Sequence, residues 1–425
     1  MIILRPYQDK AISDLYSDAN SLLQKTENKV IVFRAPTGSG KTIVMAEFLR
    51  KLVSENETGV PLSFIWAAPR QLHIQSKKKL ERYYHENKAL KCSFFEELVD
   101  KNIAENEILF LNWESINKEG NIYIRENEND FNLSSVLQNT IDQGRQVILV
   151  IDESHFSTDT DKTLGLKNMI NPKLTIEVSA TPLLAGDQLV PVDREDVIQD
   201  EMIKKYVVIN QEFKNDILNK SLNDILIKGP GETTNEFIIS EALKKREQLA
   251  EEFTGLSSNV NPLMLIQLPD RSSVTEDLKY EIIAILKNQH NITVENGKLA
   301  IYLSEDKKNL DTISINDDKV DVMVFKQAIA IGWDCPRAHI LLMLREMHSF
   351  VFTVQTVGRI LRMPELKHYT SDALNVGYVY TNMPTFSIRG EESFGYIVTQ
   401  SAKREGIYSD IDLPSVHSKR HREET

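Results

Sequence analysis

Residues Ala35 to Thr42 read APTGSGKT, a spacing of glycine, lysine and hydroxyl that can wrap a polyphosphate. Gly38 and Gly40 let the backbone curl so that successive N–H groups face phosphate oxygens. A helix opening at the same place adds the partial positive charge of its N-terminus. Lys41 can reach the β- and γ-phosphates, and the Thr42 hydroxyl can hold Mg²⁺. Thr37, Gly38, Ser39 and Gly40 are the loop residues expected around the phosphates. The strict pattern begins with glycine, and Ala35 stands in that place. A turn that merely opens a helix, with Lys41 solvated, is the plain alternative. The flanks favour a phosphate loop, because KVIVF (Lys29 to Phe33) reads as a strand and IVMAEFLRKLV (Ile43 to Val53) as a helix.

IDESH (Ile151 to His155) ends a second buried strand. Adjacent carboxylates at the C-terminal end of a strand lie on the ligand side of an open α/β sheet. Asp152 is expected to hold Mg²⁺ and Glu153 to orient and deprotonate an attacking water. Asp, Glu and Ser also cap helices, so the motif acquires weight only beside the phosphate loop. SATP (Ser179 to Pro182) closes another strand, where Ser179 and Thr181 could bridge to the acidic pair. In LRPYQ (Leu4 to Gln8) the Gln8 amide could pair donor and acceptor with an adenine edge.

The second half carries AIAIGWDCPRAH (Ala328 to His339) and FTVQTVGRILRMP (Phe352 to Pro364). Gln355, Arg359 and Arg362 recur at four- and three-residue spacing, which puts them on one helix face. Two guanidiniums and an amide on one face can meet the γ end of a triphosphate, as arginine-finger chemistry requires. Val354, Val357, Ile360 and Leu361 are apolar, so this helix is expected to be largely buried.

In order along the chain, RPYQ, APTGSGKT, AAPRQL (Ala67 to Leu72), DESH, SATP, PLMLIQL, IGWDCPRA and QTVGRILRMP resemble the motifs of a superfamily 2 helicase. Alanine at the head of the phosphate loop is usual there. QTVGRILRMPE followed by LNVGYVYTN is most similar to the motor part of the type III restriction enzyme Res subunit. The resemblance implies a helicase core of two RecA-like lobes with ATP and Mg²⁺ between them. Lys41, Asp152, Glu153, Gln355, Arg359 and Arg362 would be catalytic. Gln8, the phosphate loop, Gly332 and Asp334 would contact nucleotide, and Thr42 and Asp152 would hold the metal. It places a nucleic acid, DNA by that likeness, on Arg70, Gln71 and the second-lobe loops. It also implies a methyltransferase or specificity subunit and a nuclease domain or partner. No Asp…Glu-x-Lys constellation follows Pro364. The chain is therefore expected to be a motor that does not itself cut DNA, as a fragment or as a shorter relative.

These motifs need a scaffold, and the strand pattern supplies one. PLSFIWAA (Pro61 to Ala68), EILFLNW (Glu107 to Trp113), QVILVID (Gln146 to Asp152) and LTIEVSA (Leu174 to Ala180) are apolar without alternation. Such strands belong to a parallel sheet buried on both faces. A second series begins at PLMLIQL (Pro262 to Leu268) and continues through KLAIYL (Lys298 to Leu303), VDVMVFK (Val320 to Lys326), HILLML (His339 to Leu344) and NVGYVYT (Asn375 to Thr381). Helices are expected over Asn235 to Phe253 and Leu278 to His290. The fold class is α/β, with two doubly wound parallel-sheet lobes in tandem. Residues 1–205 form lobe 1, 206–255 linker and inserted elements, and 256–425 lobe 2. The polar stretch Gln188 to Thr233 and the break KGPGETT (Lys228 to Thr234) fall around that linker.

The chain has 425 residues, with 41% hydrophobic and 26% charged content, ordinary for a soluble protein with two or three domains. No apolar run spans a membrane, and MIILRPYQDK lacks signal-peptide anatomy. Two distant cysteines, Cys92 and Cys335, exclude a disulfide framework and suit a reducing cytoplasm. The net charge of −12 argues against a general nucleic-acid coat but not against a motor gripping one groove. The basic end SKRHREET reads as a frayed tail. Two other classes stay open. One is an ATP-switched remodelling or RNA helicase module without translocation, and the other an NTPase unrelated to nucleic acid.

Overall fold

Strands apolar on both faces must be covered on both, and each half of the chain meets that demand with its own sheet. The computed structural model describes residues 3–69, 71–112, 132–154, 167–180, 186–210, 234–268, 273–303, 305–326, 334–344 and 357–381. The first sheet contains β1 (Lys29–Arg34), β2 (Leu62–Ala68), β3 (Lys91–Ser93), β4 (Glu107–Asn112), β5 (Gln146–Asp152), β6 (Leu174–Ser179) and β7 (Gln188–Pro191). Their order is β3-β4-β2-β5-β6-β1-β7, and every pairing is parallel.

Alternate residues of one strand feed opposite layers. In β2, Phe64, Trp66 and Ala68 join the core beneath α1 (Pro6–Leu23), α2 (Lys41–Ser54) and α3 (Leu72–Tyr84). Ile65 and Ala67 join the opposite core, with Val136 and Leu137 of α4 (Leu133–Asp142). Helix α1 begins with Pro6 at its first position, and Tyr7, Ala11, Leu15, Ala19 and Leu22 are buried at helical spacing. Asn132 caps α4 by accepting the Ser135 N–H at 2.8 Å.

After β7 the chain makes the short α5 (Arg194–Gln199) and crosses to the second sheet. That sheet has the order β11-β10-β12-β9-β13-β14-β8. Its strands are β8 (Tyr206–Ile209), β9 (Leu263–Gln267), β10 (Leu299–Tyr302), β11 (Lys307–Lys308), β12 (Val322–Phe325), β13 (Ala338–Met343) and β14 (Val376–Thr381). All neighbours are parallel except the β10–β11 hairpin. Helices α6 (Thr234–Gly255) and α7 (Ser273–His290) cover one face. Val357, Ile360, Leu361 and Ile313 pack on the other. Among the described residues no helix is long and apolar enough to cross a membrane. Cys92 and Cys335 are unpaired.

The segment 206–255, expected as linker and inserted elements, supplies described structure at both ends. Tyr206–Ile209 adds an edge strand beside β14, and Thr234–Gly255 covers the second sheet. Gln188–Pro191, read as polar linker, pairs with β1 in the first sheet. Only one of its residues, Val190, is buried, which is why its pattern does not announce a strand. Helix α1 was not among the expected helices. The KGPGETT break, apart from Thr234, and the SKRHREET tail lie outside the described residues.

Arg337, in the CPRAH run, is fully buried in the second lobe. It donates to Ile313 O at 2.7 Å, Asn261 O at 2.7 Å and Val320 O at 2.9 Å, and it pairs with Asp318 at 3.3 Å. Removing one partner of such a set leaves buried acceptors and a carboxylate uncompensated. Arg337→Ala is expected to cost about 3–5 kcal/mol of second-lobe stability in urea unfolding. A loss below about 1 kcal/mol would show that the network is not structural.

Candidate functional site between the two lobes

The APTGSGKT loop runs from β1 into α2. Ala35 N–H donates to Ser179 O at 3.1 Å, which ties the loop's start to the end of β6. Gly38 (φ 90°) and Gly40 (φ 83°) are both in the left-handed region that disfavours side chains. Gly40 is the N-cap of α2, so Lys41 and Thr42 occupy its first turn. Lys41 Nζ donates to Ala35 O at 3.3 Å, inside the loop it follows.

Tyr7 and Gln8 brace this loop from α1. The Tyr7 hydroxyl donates to Ser39 O at 2.7 Å, and Gln8 Nε2 donates to the same carbonyl at 3.0 Å. Gln8 Oε1 accepts the Arg5 N–H at 3.0 Å. Both ends of the Gln8 amide are thus used within the protein. Pairing with an adenine edge would require it to exchange partners.

Asp152 ends β5 and Glu153 follows it with φ 53°, a left-handed conformation rare for a non-glycine residue. Ser76 of α3 donates to Asp152 Oδ2 at 3.4 Å. Burial pushes the Asp152 carboxyl up to about 6, and Glu153 adds to the rise, while Lys41 and Ser76 oppose it.

The second lobe brings Arg359 and Arg362. Arg359 lies in a helical turn over 357–360, and Arg362 lies beyond it in an isolated bridge to Ile203. The helix-face argument therefore holds only as far as Ile360. Arg362 reaches the same cavity from extended backbone. Burial pushes both guanidiniums down to about 10, with Glu153 pulling each back. Both stay charged at neutral pH. Arg362 also pairs with Asp334, and Lys79 of α3 approaches Asp334 from the first lobe at 3.9 Å.

These groups line one cavity of about 1140 Å³. Thr37, Gly38, Gly40, Lys41, Thr42, Asp152 and Glu153 come from the first lobe, and Asp334, Arg359 and Arg362 from the second. Ser39 is buried behind the loop, held by its carbonyl, and Gln8 is buried beside it. Gln355, Gly332, Thr181 and Arg70 lie outside the described residues, and Gln71 is the exposed N-cap of α3. Sequence reasoning missed Tyr7, which sits in the RPYQ motif beside Gln8 and was given no role there, and Ser76 and Lys79, which carry no motif of their own.

Among the described residues no group of three His, Cys, Asp or Glu could hold a metal alone. Mg²⁺ does not ask for one, since it is commonly held by one or two carboxylates, waters and substrate phosphates. The hard oxygens of Thr42 and Asp152 beside a phosphate loop fit that requirement. The Asp152 carboxyl, whose charge is resisted by desolvation, also fits a site completed by a cation.

The Asp152 shift has a defined sign. Between 3.8 and about 6 the folded state keeps a proton that the unfolded chain has released. Stability from this group is therefore lost as pH rises through that window. Without ligand, Asp152→Asn is expected to be more stable than wild type at pH 7, by on the order of 1–3 kcal/mol. The gain should vanish toward pH 4. Urea midpoints across pH 4–8 check it, and a variant less stable at pH 7 would refute the burial argument.

The family model described as "Type III restriction enzyme, res subunit" matches residues 1–184. The chain has no match among curated proteins. Among solved structures, a fragment described as an HsdR subunit of a type I restriction enzyme from Vibrio vulnificus YJ016 matches with TM-score 0.54 and 17% identity. That match covers 93% of this chain and 67% of the other. The DUF1998 helicase MrfA bound to DNA and AMPPNP matches with TM-score 0.52 and 16% identity, over 89% of this chain and 50% of that one. The ATP-dependent Type ISP restriction-modification enzyme LlaBIII bound to DNA matches with TM-score 0.50 and 16% identity, over 89% of this chain and 27% of that one. The chain thus spans only part of each of these proteins, and identities of this size carry the fold alone. The sequence match in residues 1–184 is to the type III restriction enzyme Res subunit, and the fold, two parallel-sheet lobes in tandem, is RecA-like in each lobe and shared with the structures above.

Proposed function

We propose that the chain is an ATP-hydrolysing motor that moves on nucleic acid, DNA in the first instance. The observation that carries this reading is the shared cavity, in which a phosphate loop and a carboxyl pair face two arginines of the other lobe, Arg359 buried and Arg362 half-buried. Lys41 and the loop N–H groups would hold the β- and γ-phosphates. Mg²⁺ on Thr42 and Asp152 would neutralise charge on those phosphates. Glu153 would orient the attacking water and accept its proton. Arg359 and Arg362 would face the charge that develops on the transferred phosphoryl group. Their burial supports that role, because a desolvated guanidinium pairs strongly with an anion.

Loss of the γ-phosphate would remove the ligand that the two lobes share and let them part, which couples hydrolysis to movement. Gln355, Gly332 and Gln8 belong to this reading through the helicase resemblance. The match to the Res subunit supports DNA as the track, and a methyltransferase and a nuclease as partners. A cytoplasmic location belongs to the same reading, and two cysteines without a disulfide are compatible with it.

ATPase rate measured with single-stranded DNA, duplex DNA and RNA in turn tests the motor. Stimulation by DNA above RNA is expected, and no stimulation by any nucleic acid would refute it. Lys41→Ala is expected to abolish turnover in a folded protein. Arg362→Ala is expected to keep nucleotide affinity while turnover falls by about 10³ or more. Equal losses in affinity and turnover would remove Arg362 from the reacting end.

A further inference from the structure

Lys204 lies between α5 and β8, where the chain passes from one lobe to the other, and it has no exposed surface. Its ammonium donates to Ala338 O at 3.0 Å, Ile360 O at 2.6 Å and Arg362 O at 2.9 Å. Burial pushes the Lys204 amine well below its usual value, and the three carbonyls around it favour the ammonium, whose three hydrogens they can receive. Ile360 ends the turn that bears Arg359, and Arg362 follows it in the bridge to Ile203. Carbonyls at a helix end lack internal partners, and a cation there also suits the negative end of the turn.

The backbone around Lys204 joins the same contact. Lys204 N–H donates to Leu361 O at 2.6 Å, and His368 Nε2 lies 2.9 Å from Ile203 O. On its other side the strip meets the phosphate loop. Ile203 Cγ2 stands 2.8 Å from the position a Cβ on Gly38 would take. Two consecutive residues therefore touch the loop that would hold phosphate and the segment that carries the arginines.

Burying an ammonium is expensive, and a methionine of similar length would fill the space without that cost. The lysine is explained by what its three hydrogens fix. We infer that Lys204 is a positioning residue: by holding the Ile360 and Arg362 carbonyls it sets where the turn ends, and so the direction in which Arg359 and Arg362 enter the cavity. As a statement about hydrolysis this rests on the ATP reading above. As a statement about the backbone it stands alone.

Lys204→Met removes the three donors at nearly constant volume. Amide hydrogen exchange is expected to accelerate about tenfold or more over residues 357–363 and to stay unchanged in α2. ATP turnover is expected to fall by about 10²-fold with nucleotide affinity unchanged, since small misplacements of reacting groups have that effect. Combined with Arg362→Ala, the variant should lose less than the sum of the two single losses, since part of its effect runs through Arg362. Unchanged exchange over 357–363 overturns the inference, as do fully additive losses or an equal loss of affinity. A wild type that does not turn over ATP would refute the ATP reading, and exchange alone would then decide the role of Lys204. If Lys204→Met does not fold, Lys204→Gln, whose amide has two hydrogens for three carbonyls, is read the same way. Exchange and turnover equal to wild type would overturn the inference there too.

Discussion

The two lobes meet where the chain has no side chain to spare. At Gly38 the backbone sits at φ 90°, and a Cβ there would fall 2.8 Å from Ile203 Cγ2 and 3.3 Å from Arg362 Cγ. At Gly358 a Cβ would fall 3.0 Å from Thr37 Cβ. The loop shaped for phosphate is thus packed against the segment that carries the arginines, at backbone range. Packed contacts of this kind are bistable and do not deform continuously. A ligand seated in the loop would act on the second lobe directly, with no intervening chain of side chains.

That contact accounts for the electrostatics of the cavity. Lys41, Lys79, Arg359 and Arg362 are brought within one space with Asp152, Glu153 and Asp334. Burial resists charge on both signs, raising the Asp152 carboxyl and lowering both guanidiniums. Glu153 adds a backbone in a sparsely populated region. Such a site is less stable empty than an apolar one would be, and an anion with its own cation would relieve it. Stability withheld at one place and recovered on binding is the usual mark of a functional cleft.

Much of this was legible in the residues because parallel strands buried on both faces read as apolar runs. β2, β5 and β6 appear within a residue or two of where composition puts them. The phosphate loop and the acidic pair were legible for a related reason, since chemistry in such sheets collects at strand C-termini. What escaped was held by tertiary contact. β7 and β8 are short edge strands with little buried surface. Helix α1 carries a clear helical spacing, but the RPYQ motif drew its first turn into a reading about nucleotide. The three-residue step from Arg359 to Arg362 is helical in sequence and is broken in space by the bridge to Ile203. No local pattern announces a partner more than a hundred and fifty residues away.

The strength of the lobe contact must lie in the packed strip and not in the ion pair at the cavity. Lys79 and Asp334 approach only to 3.9 Å, with side chains 56% and 44% exposed. A pair of that kind contributes about 0–1 kcal/mol and less in salt. The strip from Met202 to Lys205 is different in kind. Met202 O accepts from Met363, Lys204 binds Leu361 through its N–H, and Lys205 N–H donates to Asn375 O at 2.9 Å. These are buried backbone bonds, each expensive to leave unmade. The bonds that join the two lobes here therefore lie in the strip, and the exposed pair at the cavity adds little to them.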